Sequence, residues 1–261
     1  MESHDAYAQT SNLDDASCII SAICRDGIIL AAESRANIFD PTDPSHTPLA
    51  YYDACQKIFP IGEAAIAESG QGLIDNVFFA AIIEDFSHRI TQQPRIDNLL
   101  PLFLDYCRKS MPPAVFLEMR KQKLFAAGYD STNPVVSYFN EQLPTGSFGY
   151  VTAGLLSSGK ISLAEQADEL QNLSVQEATQ LSQEAIRDYT AEGDRWKTIG
   201  GPTDVLCITP SGTQWIEKNT PAQTYTYTKE LVTAYQQGSL RLTLIPPTTQ
   251  EQLEAFFSTV A

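Results

Sequence analysis

The chain has 261 residues, 43% of them hydrophobic, which suits one domain with a sizeable core near the upper size for a single core. Its 32 acidic against 17 basic residues give a net charge of −15, which repels phosphate backbones and anionic headgroups and argues against nucleic-acid or membrane partners. Five separated cysteines with no C-x-x-C pair and three scattered histidines argue against a disulfide framework, a zinc ribbon or a catalytic metal, and no cofactor is expected.

The polar start MESHDAYAQTSNLDDA has no hydrophobic signal-peptide region, and no run approaches the roughly 18 apolar residues of a membrane span. A soluble, cytoplasmic protein is expected. The alternative is export: Ala6-Tyr7-Ala8-Gln9 resembles the small-residue end of a signal peptide otherwise removed. SCIISAIC and IILAAESRA then flank Arg25-Asp26-Gly27 and predict a hairpin that begins the fold. Two turns fit it. Asp26-Gly27 as a two-residue turn sets Cys18 opposite Arg35, whereas a three-residue loop sets Ser17 there, a one-residue slip that exchanges the two candidates. After a loop from Asp40 to Ser45, QKIFPI and AAIAES read as neighbouring antiparallel strands.

From Gly72 onward Leu73, Ile74, Val77, Phe78, Ala81, Ile82 and Phe86 follow helical spacing, and a second helix is expected around Leu99 to Arg108. KLFAAGY, PVVSYF and GYVTAGLL return to strands, separated by turn residues such as Asp130-Ser131-Thr132-Asn133-Pro134. Ser162 and Ser174 each open a Ser-x-x-Glu capping box, with Glu165 and Glu177, and predict helices through about Leu170 and Tyr189. Gly200-Gly201-Pro202 ends that pattern before the hairpin DVLCIT and TQWIEK. Short helices close the chain near Lys229 to Gln236 and Gln250 to Thr259. Strands and helices grouped in this order predict an α+β fold, with two antiparallel sheets face to face and helices outside, a four-layer αββα sandwich.

The block SCIISAICRDGIILAAESRA, followed by CQKIFPI and ESGQGLID, resembles the start of proteasome β-type subunits, as a divergent, bacterial-like member. The features are a nucleophile-bearing strand, a D-G turn, an acid-x-Arg pair, and a lysine before two apolar residues. The likeness resumes at SSGK and GGPTDVLCIT. It implies the N-terminal-nucleophile hydrolase fold, with residues 1–16 as a leader or propeptide and 17–261 as one domain. It implies self-cleavage at Ala16-Ser17 and hydrolysis of peptides or small amides, and rings of subunits, hence a homo-oligomer. Residue by residue, Ser17 takes the nucleophile position, usually threonine, and Glu33, Arg35 and Lys57 the acid, arginine and lysine positions. Gly70 matches a glycine of the oxyanion hole. Ser158 and Gly159 match the pair that flanks the nucleophile, and Glu68 the wall of the primary specificity pocket, where a carboxylate favours basic side chains.

A freed α-amino group, with an ordinary pKa of about 7.7 to 8, would serve as general base beside the nucleophile. Cys18 is the rival nucleophile, since cysteine serves in related acylases. Cys24 and Cys107 read as small core residues and Cys55 as a strand position. Three departures from the family pattern stand out. Ala16 replaces the usual glycine before the nucleophile, serine replaces threonine, and Trp196 and Ile199 occupy the positions of an aspartate and a serine that support the amine, unless Asp194 substitutes. Ser17, Ala16 and Trp196 together lend support to the alternative of a non-catalytic assembly subunit, in which Ala16-Ser17 is never cut.

Overall fold

The computed structural model describes residues 17–40, 47–70, 72–140, 143, 148–151, 154–158, 172–192, 199–221 and 225–260. The chain opens with the hairpin of β1 (Ile19–Ile23) and β2 (Ile28–Glu33). Its register differs from both expected forms: Ile19 faces Ala32 and Ile23 faces Ile28, which leaves Arg25-Asp26 as the turn and sets Cys18 level with Glu33. The reason lies outside the hairpin. Asp26 Oδ1 accepts the Val175 N–H at 2.7 Å and the Arg25 N–H bonds Leu173 O at 2.9 Å, so the turn is fixed by the start of a distant helix rather than by its own D-G preference.

The segment IILAAESRA breaks at Ser34. Its second half becomes β3 (Arg35–Phe39), which pairs with β4 (Pro48–Asp53) in a separate small sheet. Next come β5 (Ile58–Ile61) and β6 (Ala64–Ser69), antiparallel as expected. Leu73 to Phe78 are not helical. They form the short hairpin β7 (Leu73–Ile74) and β8 (Val77–Phe78) around Asp75-Asn76, both at positive φ, and helix α1 begins only afterwards (Phe79–Arg89). A two-residue turn of this chemistry explains the strand pair. α2 (Ile96–Ser110) is longer than expected, and α3 (Pro113–Met119) follows it.

β9 (Lys123–Asp130) and β10 (Asn133–Phe139) form a hairpin over Ser131-Thr132. The run GYVTAGLL divides into β11 (Gly149–Val151), beside β10, and β12 (Gly154–Ser158), beside β1. Helix α4 (Val175–Glu192) carries the expected box, with the Ser174 N–H donating to Glu177 Oε2 at 2.8 Å and the Glu177 N–H to Ser174 Oγ at 3.3 Å. The helix expected from Ser162 lies outside the described residues. β13 (Thr203–Thr209) and β14 (Gly212–Glu217) form the late hairpin, and α5 (Thr228–Gln236), β15 (Thr243–Leu244) and α6 (Gln250–Val260) complete the chain.

The first large sheet runs β12-β1-β2-β13-β14 and the second β11-β10-β9-β6-β5. Period-two alternation divides each strand between two apolar clusters. Ile19, Ile23, Ile28 and Leu30 pack with Ile58, Ala67, Phe125 and Val136 of the second sheet. The alternate residues Cys18, Ile20, Ala22, Ile29 and Ala31 meet Ala178 and Ile186 of α4. The far side of the second sheet packs on α1 and α2, where fully buried Phe103 contacts Phe79 and Phe86 edge-on at 5.7 and 5.1 Å between ring centres. A fourth cluster joins β4 to α5 and α6 through Tyr52, Leu231, Leu253 and Phe257. No helix among the described residues is long and apolar enough to cross a membrane.

Candidate active site

The ends of β1, β2 and β5 bring together three residues far apart in the chain. Ser17 immediately precedes Cys18 and β1, Glu33 ends β2, and Lys57 precedes β5; their exposures are 3%, 1% and 4%. The Lys57 ammonium donates to Ser17 Oγ at 3.0 Å and to Glu33 Oε1 in a short charge-assisted bond. Glu33 is the hub. Its Oε1 also accepts the Cys18 N–H at 3.2 Å, and its Oε2 accepts those of Arg35 at 2.7 Å and Gly200 at 3.3 Å. Four donors compensate the desolvation of this carboxylate.

Burial of Lys57 disfavours its charge, but the facing Glu33 carboxylate outweighs that cost and leaves the pKa above that of an ordinary lysine. Lys57 is therefore an ammonium at neutral pH. It donates to the Ser17 oxygen, and an ammonium is not a base that could take the hydroxyl proton.

The Arg35 guanidinium grips Asp53 in a two-point bond at 2.7 and 2.9 Å, and lies 3.7 Å over the Tyr51 ring. Gly200 sits against the same guanidinium, where an added Cβ would fall 2.5 Å from Cζ. Arg35 thus ties β3, β4 and the Gly200 turn together around Glu33 and acts as a positioning residue. Sequence reasoning missed Asp53, Tyr51 and Gly200 in this role. The pair Gly200-Gly201 was a visible signal of close backbone approach, whereas nothing local marks Asp53 as the partner of Arg35.

Cys18 and Ser17 separate clearly. Cys18 is fully buried in the apolar cluster under α4, while the Ser17 hydroxyl meets Lys57. Ile199 joins the same apolar cluster at 6% exposure. Ser158 ends β12 with its backbone opposite Ile19; Gly159, Asp194 and Trp196 lie outside the described residues.

The second sheet supplies the remaining candidates. The Glu68 N–H bonds Lys57 O at 3.0 Å, and its side chain is buried at 2% exposure. Burial pushes its carboxyl up to about 7, against the opposing pull of Lys57, with Glu33 adding to the rise. Gly70 follows at φ +152°, and an added Cβ would lie 2.1 Å from Gln122 Oε1, so only glycine fits here. Gln122 is fully buried, and neither of its amide heavy atoms has a hydrogen-bond partner among the described residues.

No family model and no curated protein matches the chain. Among solved structures it is similar to the Anbu (Gly-1) mutant from Hyphomicrobium sp. strain MC1, with a TM-score of 0.55 and 13% identity over 85% of this chain and 94% of that one. At that identity the likeness bears on the fold alone.

Proposed function

We propose that the chain is a proteasome-like N-terminal-nucleophile hydrolase of peptide or small amide bonds. In this reading residues 17–261 form one αββα four-layer domain, and residues 1–16 are a leader removed by self-cleavage at Ala16-Ser17. The observation that carries it is the Lys57 ammonium 3.0 Å from Ser17 Oγ while it is bonded to Glu33. A buried charged pair converging on one hydroxyl is costly to assemble for stability alone.

The chemistry follows from the protonation of Lys57. An ammonium cannot take the hydroxyl proton, so the base is the α-amino group that cleavage would free on Ser17, whose ordinary pKa of about 7.7 to 8 suits neutral pH. Ser17 Oγ attacks the carbonyl carbon, the amine leaves with a proton, and water hydrolyses the resulting ester. Gly70 lends a backbone donor to the oxyanion, Ser158 and Gly159 flank the nucleophile, and Arg35 holds the Glu33 end of the site. Glu68 lines the pocket for the substrate side chain. Assembly into a homo-oligomeric ring and a cytoplasmic location complete the proposal.

One observation favours a second reading, a non-catalytic assembly subunit: Ile199, at the position where the family carries a serine, is buried in the apolar cluster under α4. Hydrolysis of a peptide and a small-amide library by the purified chain, with Ser17→Ala as control, tests the choice. Activity abolished by the substitution supports the hydrolase. Peptide-independent activity on small acylated amides shifts it to an acylase, and activity in neither form leaves the assembly subunit.

A further inference from the structure

A second buried acid, placed above only in the wall of the substrate pocket, stands beside the ammonium. Glu68 and Lys57 are cross-strand neighbours, joined through the Glu68 N–H to Lys57 O bond at 3.0 Å. Unlike the fully partnered Glu33, Glu68 Oε2 is buried without a hydrogen-bond partner among the described residues. We infer that Glu68 is a positioning residue for Ser17 and Lys57: its carboxyl is a second acid beside the Lys57 ammonium, and only when protonated does it leave that ammonium's full field on the Ser17 oxygen. This rests on the reading of Ser17 as the nucleophile.

The charge count gives the direction. With Glu68 neutral, one carboxylate and one ammonium balance, and the cation stabilises the oxyanion developing on Ser17. With Glu68 ionised, two carboxylates surround one ammonium, and the excess negative charge opposes that oxyanion. The groups facing Glu68 are Lys57 before β5, Glu33 at the end of β2, and Tyr52 and Cys55 on and after β4. β9 sets apolar Leu124 opposite it, with Lys123 one position along opposite Ser69. Burial raises Tyr52 well above its ordinary range and Cys55 to about 12, so both stay neutral as Glu68 titrates. Glu68, at about 7, changes charge within the physiological range.

The test compares wild type with Glu68→Gln, a nearly isosteric and permanently neutral replacement, on a small amide with an apolar side chain. The wild-type rate rises as the α-amino base loses its proton and falls as Glu68 ionises, giving a bell. Glu68→Gln loses the descending limb and gains about tenfold at pH 8, where a group titrating near 7 is about one-tenth neutral. In parallel, ¹⁵N-lysine NMR follows the Lys57 ammonium, whose signal steps near neutral pH in wild type and not in Glu68→Gln. A descending limb that survives the substitution, or a Lys57 signal without the step, overturns the proposal. If neither protein hydrolyses at any pH, the hydrolase reading fails, and the Lys57 signal alone decides whether Glu68 governs the ammonium.

Discussion

The two large sheets each end in a buried carboxyl group, and the two ends are built differently. Glu33, at the end of β2, receives the Lys57 ammonium and three backbone N–H groups. Glu68, at the end of β6, is as deeply buried but has an oxygen with no partner among the described residues. The contrast shows what burial alone does to an acid. Donors compensate the charge at Glu33, whereas at Glu68 desolvation prevails and pushes the carboxyl up to about 7. The first sheet thus provides a fully bonded carboxylate and the second a carboxyl that burial raises to about 7.

The largest effect that breaks this comparison is expected from Glu33→Ala. It leaves the Lys57 ammonium buried without its anion and three N–H groups without their acceptor, and costs about 3–5 kcal/mol in denaturant unfolding at pH 7. A loss under 1 kcal/mol would show that Glu33 is not the hub. Glu68→Gln acts in the opposite direction. A carboxyl raised from an ordinary 4.5 to about 7 on folding gives stability that is present below about pH 4.5 and lost as pH rises through about 7. The variant is therefore more stable than wild type at pH 8, by about 3 kcal/mol, and the gain vanishes below pH 4. Equal stabilities at both pH values would place the Glu68 titration elsewhere.

Arg35→Lys probes the scaffold around Glu33. It keeps the charge but loses the two-point grip on Asp53 and the stacking over Tyr51, for about 2 kcal/mol by thermal or denaturant unfolding. Full retention of stability would mean that the bond to Asp53 does not brace the site. The smallest effect belongs to Ser174→Ala at the start of α4, about 1 kcal/mol for the lost cap. Far-UV circular dichroism during unfolding would detect it, and a loss well above 2 kcal/mol would show that the cap also holds the β1–β2 turn.

The same contrast marks how much was legible in the sequence. Short apolar runs bounded by turn residues disclosed β1, β2, β5, β6, β9, β10 and β13, and the capping box disclosed α4, because those signals are local. Ser17, Glu33, Arg35 and Lys57 came from the family resemblance, whereas Gly200 did not. Composition gave no hint that Ser17, Glu33 and Lys57 would meet. Three features were set by tertiary contacts and stayed out of reach. The hairpin register depends on Asp26 capping α4. The break at Ser34 depends on Arg35 leaving the first sheet for Asp53. The buried state of Glu68 depends on packing at the end of β6, where an acid otherwise reads as solvated. Asp75-Asn76 was a readable turn, but Leu73, Ile74, Val77 and Phe78 fit helical spacing equally well, and the period masked it.

The central claim is that the Lys57 ammonium prepares Ser17 for attack, and the intact mass of the purified chain after prolonged incubation tests it most directly. The account predicts loss of residues 1–16 in wild type and no loss in Ser17→Ala. A wild-type chain that stays whole, or one cut between Ser17 and Cys18, would contradict it.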